Sequence, residues 1–156
     1  MSDYPSRKHP HHAVRDIPGK PTLVFVTFCV EDPRNPWMAT DEIHALFRAI
    51  WLRVDAWRVA DYTIMPDHGH FFAAPGDSNY SLKEWMTYWK REFRRIHSDR
   101  AHALKTDYWD TTIRNGAHYT ERWWYLRNNP VEQSLVADPG DWPFQGVIYR
   151  FTWYEV

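Results

Sequence analysis

Arg58-Val59-Ala60-Asp61-Tyr62-Thr63-Ile64-Met65-Pro66-Asp67-His68-Gly69-His70-Phe71-Phe72-Ala73-Ala74 is the stretch on which the fold turns. Arg58 to Met65 and Gly69 to Ala74 are rich in β-branched and aromatic residues. Pro66 and Asp67 between them suit a tight connection, so the stretch predicts an antiparallel hairpin. His68 and His70 sit at the start of its second strand. A period of two along a strand puts both imidazoles on one face, a few ångströms apart, where two neutral nitrogens can hold one divalent cation. Gly69 points the other way. Two histidines do not complete a metal site, and the same spacing serves a plain hydrogen-bonded pair.

Upstream, Thr22-Leu23-Val24-Phe25-Val26-Thr27-Phe28-Cys29-Val30 is β-branched and aromatic throughout, the mark of a buried central strand. After a turn over Pro33 to Pro36, Thr40 offers an N-cap, Asp41 and Glu42 offer first-turn acids, and apolar residues recur at helical spacing. A first helix over 41–56 follows. Downstream, Ser81-Leu82-Lys83-Glu84 is a capping box, and Leu82, Trp85, Met86, Trp89, Phe93 and Ile96 trace one stripe of a second helix. Lys90, Arg91, Arg94 and Arg95 fall on its other side, a basic face that serves either as solvated surface or as a contact for nucleic acid. A third helix over 117–128 is expected to stop at Asn129-Pro130, because the residue before proline is disfavoured in the α region. A short helical turn around 131–136 and a β-like stretch over 147–153 complete the chain. Strand, helix, strand, strand, helix, helix, strand suggests a small antiparallel α+β sandwich.

The chain has 156 residues, the size of one domain, assigned here to 22–156 behind a flexible basic arm over 1–21. His9, His11 and His12 in that arm are weak metal candidates. The single cysteine, Cys29, excludes a disulfide framework, a multi-cysteine zinc site and an iron–sulfur cluster. It fits a reducing compartment. No apolar run approaches the roughly 18 residues of a membrane span, and the N-terminus lacks the apolar segment of a signal peptide. The expectation is a soluble, cytoplasmic protein with no membrane partner. With 19 Lys and Arg against 20 Asp and Glu, the net charge of −1 argues for no polyanionic partner by itself. Its distribution is uneven, however: 83–105 holds seven Lys and Arg against three acids, and 130–156 one Arg against four acids. Ten Trp, nine Tyr and eight Phe are too many for one small core to hide, so some rings should meet solvent or a ligand.

Ile64-Met65-Pro66-Asp67-His68-Gly69-His70-Phe71-Phe72, followed about 55 residues later by Tyr125-Leu126-Arg127-Asn128-Asn129-Pro130-Val131, resembles the signature of the REP-associated tyrosine transposases, a bacterial branch of the single-tyrosine HUH transposases. The resemblance extends through Tyr108-Trp109-Asp110, Ile113-Arg114, Leu135-Val136 and Asp141-Trp142-Pro143, covering about residues 22 to 146. It implies a ferredoxin-like antiparallel sheet with helices packed on it and the HUH motif on a central strand. It also implies a Mg²⁺ or Mn²⁺ ion on His68 and His70, with Asn129 at the position of a further polar metal-site residue, and Tyr125 as nucleophile. The implied substrate is single-stranded DNA with palindromic hairpins; the basic face of the second helix, Lys90, Arg91, Arg94 and Arg95, together with Arg114, offers its candidate contacts, and a monomer or homodimer is expected.

The residue types suit that chemistry. A cation that neutralises a phosphodiester removes the main obstacle to nucleophilic attack. Tyrosine, with an ordinary pKa near 10, needs a nearby cation or base to become phenolate. Attack by Tyr125 leaves a 5′-phosphotyrosine and a free 3′-hydroxyl, so no nucleotide cofactor is required. Tyr125 and Asn129, four apart, share a helix face, whereas Tyr119 is expected on roughly the opposite side. Two departures stand out. Gly69 replaces a bulky apolar residue and by itself weakens a strand interior, and Asp67 replaces asparagine. The alternatives are a hairpin-DNA-binding protein of the same descent without the chemistry, and a nonspecific single-stranded nucleic acid module built on exposed rings and arginines.

Overall fold

The computed structural model describes residues 22–76 and 79–151. The predicted arm over 1–21 and the last residues of the predicted final strand lie outside them. The described chain runs β1 (Val24–Val30), α1 (Asp41–Arg53), β2 (Trp57–Ile64), β3 (His68–Pro75), α2 (Leu82–His97), β4 (Leu104–Thr112), α3 (Gly116–Glu132), a 3₁₀ turn (Pro139–Asp141) and β5 (Gln145–Val147).

The strands form one antiparallel sheet in the order β4-β1-β3-β2-β5. The first four strands with α1 and α2 make a ferredoxin-like βαββαβ unit, with β3 at the centre. Alternation along the strands divides the packing. Val24, Val26 and Phe28 of β1 and Phe71 and Ala73 of β3 meet α1 and α2 in one core. Phe25 of β1 and Phe72 and Ala74 of β3 meet α3 on the other face. The sheet is therefore sandwiched between two helical layers, and His68 and His70 face the α3 layer.

Local signals explain the ends of the elements. Thr40 accepts from Ile43 N at the start of α1, and Ser81 and Glu84 exchange both bonds of a capping box at α2. Five differences from the sequence reading carry information. The first helix stops at Arg53, where Val54 N–H closes on Ile50 O. The stretch Leu104–Thr112 is a strand, unforeseen because its Lys, Asp and Thr residues match no apolar period; it is an edge strand whose pairing with β1 is non-local. The final strand is Gln145–Val147 rather than 147–153, although Ile148 N and Tyr149 N continue to bond β2 at Ala60 O and Val59 O. Ile96, assigned to the buried stripe of α2, is 45% exposed.

The fifth difference concerns Pro130. The third helix does not stop at Asn129 but runs through Pro130 to Glu132, absorbing the separate turn expected over 131–136. Proline removes one bond, to Leu126 O, yet Gln133 N bonds Asn129 O and Leu135 N bonds Pro130 O beyond it. The helix ends where Ser134 takes a φ of 60°. Asn129 is fully buried, so its helix turn is pinned from the side by tertiary contact.

Candidate active site

The pleat and register of three central strands set the histidines. His70 lies opposite Thr27 of β1 and Thr63 of β2, and His68 lies opposite Cys29. All three of Thr27, Thr63 and His70 are buried. Thr27 Oγ1 is 2.8 Å from His70 Nδ1, and the His70 ring stacks on Phe25 at 5.3 Å. Burial, then the charges of His68 and Arg122, push the His70 pKa well below its ordinary value, so the ring is neutral at pH 7. Its Nε2 is buried without a hydrogen-bond partner.

His68 is held the same way. Asp67 Oδ1 lies 2.8 Å from His68 Nδ1, and Asn129 Oδ1 lies 2.9 Å from His68 Nε2. Burial works to raise the Asp67 carboxyl, but the hydrogen bond and charge of His68 outweigh it and hold it below the usual carboxylate value. On both rings the Nδ1 atom is tied to an oxygen outside the site, which fixes the orientation of the ring and turns Nε2 inward, as ligand-supporting partners do. With its proton on Nδ1, His68 would bring a lone pair at Nε2 against the lone pairs of Asn129 Oδ1, so a proton or a cation belongs between them.

Those features test whether the residues fit a divalent ion. His68 Nε2, the unpartnered His70 Nε2 and Asn129 Oδ1, all buried, form a set of lone pairs that a cation would satisfy. The residues fit.

Tyr125 stands over this pair from α3. Its ring is edge-on to His70 at 5.2 Å and to Phe25 at 6.1 Å. The Arg122 guanidinium, one helical turn earlier, lies 5.4 Å from the Tyr125 ring centroid and 5.8 Å from that of Phe25. His68, His70, Tyr125 and Asn129 are thus brought together. Tyr119 does not turn away from the sheet as expected. It packs on Phe72 at 4.8 Å with its hydroxyl 3.5 Å from Asp61 Oδ2, further along the same interface. There Trp123 Nε1 donates to Asp61 at 2.6 Å, and Tyr119, Trp123 and Tyr149 wall a cleft of about 400 Å³.

Sequence reasoning missed Arg122 and Thr27. Arg122 is three residues before Tyr125 and shares its helix face, a spacing that was available. Thr27 is a lone hydroxyl inside an apolar strand, but only the register shows that it meets His70.

Gly69 is explained by its neighbour. It pairs with Phe28, and a Cβ at Gly69 would lie 2.5 Å from Phe28 Cε1 and Cζ. The bulk missing from β3 is supplied by the Phe28 ring, which lies across the glycine and supports the strand beneath the histidines.

The basic residues of α2 are not part of this constellation. They sit with α1 and α2 on the opposite face of the sheet from α3. Arg91 and Arg94 are exposed, and Arg95 pairs with Glu92 at 3.0 Å. Lys90, expected on the outer face, instead folds against β4, where Nζ donates to Lys105 O and Thr106 O at 2.8 and 3.2 Å. Arg114 is exposed just before α3, on the side of the candidate site.

Burial pushes the Lys90 ammonium down to about 8. An unfolded lysine titrates near 10.4, so above pH 8 the unfolded chain holds more protons and stability rises with pH. Between about pH 8 and 10 we expect a gain of about 1 to 2 kcal/mol in urea unfolding. Lys90→Met should remove that slope.

No family model matches the chain, and no curated protein does. Among solved structures, a REP-associated tyrosine transposase bound to a REP hairpin aligns over 97% of this chain and 96% of that one, with a TM-score of 0.72 at 18% identity. A protein from Deinococcus radiodurans R1, described as a transposase, aligns over 71% of this chain and 94% of its own, at a TM-score of 0.44 and 11% identity. The second score is too low to bear on the fold. The first establishes an α+β fold shared with a REP-associated tyrosine transposase, the family whose motifs this sequence resembles. Among the described residues no helix is long and apolar enough to cross a membrane.

Proposed function

We propose that the protein is a metal-dependent tyrosine transposase that nicks and joins single-stranded DNA beside palindromic hairpins. The observation that carries this reading is the convergence of His68 Nε2, the unpartnered His70 Nε2 and Asn129 Oδ1 beneath a tyrosine that packs edge-on against His70. The solved neighbour that shares the fold is bound to a REP hairpin, which supports a hairpin substrate.

His68, His70 and Asn129 would hold Mg²⁺ or Mn²⁺, which when bound supplies neutralisation of the nonbridging phosphate oxygens and polarisation of phosphorus. Asp67 and Thr27 hold the two imidazoles in the orientation that leaves Nε2 available. Tyr125 Oη attacks phosphorus, forming the phosphotyrosine bond as the bond to O3′ breaks, and the 3′ oxygen leaves to become a hydroxyl. Arg122 sets a cation beside the nucleophile and the phosphate it approaches. Reversal with a second 3′-hydroxyl joins strands, so the phosphodiester energy is conserved. The cleft walled by Tyr119, Trp123 and Tyr149 lies on the same sheet face and offers rings on which unpaired bases stack.

The packing of the Phe28 ring against Gly69 supports this reading over a chemically silent hairpin-DNA-binding relative, because the strand that carries the histidines is backed without a side chain at 69. The direct test is cleavage of a hairpin-bearing single-stranded oligonucleotide with and without Mn²⁺. His68→Ala and His70→Ala should each abolish metal-dependent cleavage while circular dichroism stays native. Wild-type rates in both variants would remove the metal-site assignment.

Lys90, Arg91, Arg94, Arg95 and Arg114 remain the proposed contacts to DNA, and of these Arg91 and Arg94 are exposed on α2 without the Glu92 pairing of Arg95. Each phosphate neutralised on a single strand releases roughly 0.7 counterions. Replacing Arg91 and Arg94 together by glutamine should therefore lower the slope of log affinity against log salt by about 1.4. Lys90→Met, whose cation is engaged with backbone carbonyls, should lower it much less. An unchanged slope in the double variant would leave the α2 face as ordinary solvated surface.

A further inference from the structure

We propose that His97, Asp99 and His102 form a second metal site, for a late first-row divalent cation of which Zn²⁺ is the best match. The site lies at the C-terminal end of α2, on the opposite face of the sheet from the His68 and His70 pair. It shares no residue with the proposed nucleolytic centre and does not depend on that reading.

One ligand atom from each of the three side chains lies within 4.8 Å of the others. His97 Nε2 is 2.8 Å from His102 Nδ1, and Asp99 Oδ2 is 3.6 Å from that same nitrogen. The carboxylate distance is too long for a hydrogen bond. It is close to the edge of a zinc tetrahedron, about 3.4 Å, that bonds of roughly 2.1 Å imply. The two nitrogens now share a hydrogen bond between rings whose planes lie 14° apart, so an ion takes the place of the shared proton as they separate by about half an ångström and the rings turn until both lone pairs meet it. Two imidazoles and one carboxylate are a donor set that binds zinc and its neighbours more tightly than magnesium.

Stacking keeps the two rings side by side before any ion arrives. His102 stacks on Trp37 at 4.8 Å with planes 9° apart, and His97 packs against Phe93 at 5.3 Å. The chain reverses at Ser98, with a φ of 27°, which returns Asp99 and His102 to the helix end. His102 N bonds Asp99 O, and Asn35 Nδ2 donates to Ala101 O at 2.8 Å, so the turn is braced against the loop before α1. A cation here cross-links the end of α2 to the lead into β4, on the wall of a groove of about 550 Å³ that Arg94, Arg100 and Lys105 also line. Remaining coordination positions fall to water, since Asp99 is exposed.

Long-range ¹H–¹⁵N correlation spectra of the full-length protein resolve the ring nitrogens of each histidine separately, so other histidines do not confuse the readout. On titration with ZnCl₂ the expected result is a shift of His97 Nε2 and His102 Nδ1 that saturates at one equivalent for this pair. MgCl₂ should leave both unmoved. His97→Gln with His102→Gln should abolish the zinc-dependent rise in Tm that belongs to this site. Asp99→Asn keeps the turn, because an amide oxygen accepts from Ala101 N as the carboxylate does at 2.9 Å. It should weaken zinc binding at the two rings by at least roughly tenfold. Zinc shifts confined to His68, His70 or the N-terminal histidines would overturn the proposal. So would equal shifts with Mg²⁺, or an affinity unchanged by Asp99→Asn.

Discussion

Tyr125→Phe is expected to yield a protein that folds, binds hairpin DNA and forms no covalent adduct. The ring contacts with His70 and Phe25 are edge contacts of the aromatic carbons, which phenylalanine keeps. Loss of the hydroxyl costs at most about one hydrogen bond, of the order of 1 kcal/mol. Cleavage should nonetheless fall by a factor of about 10³ or more, because removal of a nucleophile leaves only binding and electrostatic stabilisation in place. Denaturing electrophoresis of a radiolabelled hairpin substrate reads the adduct, and peptide mapping of the trapped species names its tyrosine. Tyr119 is the informative control. It lies on the same helix–sheet interface, about 9 Å along the axis from Tyr125 at 1.5 Å per residue, but its hydroxyl points to Asp61 and its ring to Phe72. Tyr119→Phe should cleave normally. An adduct on Tyr119, or loss of hairpin binding in Tyr125→Phe, would show that Tyr125 serves as a packing ring.

The parts of this arrangement that were legible in the sequence are those set by local periodicity. The His68 and His70 face follows from strand alternation, and the shared face of Tyr125 and Asn129 follows from helical spacing. Cap residues Thr40 and Ser81 mark their helices because a side-chain oxygen there satisfies an orphan N–H. What was hidden depends on partners remote in sequence. β4 is polar along much of its length and becomes a strand because β1 offers it an edge. Pro130 read as a stop, yet the helix continues because Asn129 is anchored on His68, 61 residues away. Lys90 read as an outer cation from its angle on the helix, but a four-carbon stem reaches the carbonyls of β4. Gly69 looked like a defect because β3 was considered without the strand beside it.

Gly69→Leu, which puts a bulky residue back between the histidines, is expected to damage the protein. Even the first carbon of the side chain would lie 2.5 Å from two atoms of the Phe28 ring. That ring has nowhere to go: it is fully buried and packs against Trp89 at 5.2 Å, Phe47 at 5.6 Å, Phe71 at 5.9 Å and Trp51 at 6.0 Å. Overpacking of a closed core costs about 1 to 3 kcal/mol and at times more. Phe28→Ala, which opens a cavity under the same strand, should cost about 3 to 5 kcal/mol. The combined variant is the decisive one. If Phe28 fills the volume that Gly69 vacates, leucine at 69 enters the space left by alanine at 28. The double variant should then be more stable than the sum of the singles by about 1 to 3 kcal/mol in urea unfolding. Additive losses would mean that ring and glycine do not exchange volume. Metal binding should follow the same cycle, because His68 and His70 flank residue 69 and any displacement of β3 moves both Nε2 atoms. Mn²⁺ affinity should fall in Gly69→Leu and recover in part in the double variant. Recovery of stability without recovery of affinity would show that the Phe28 ring supports the strand but does not set the spacing of the two histidines.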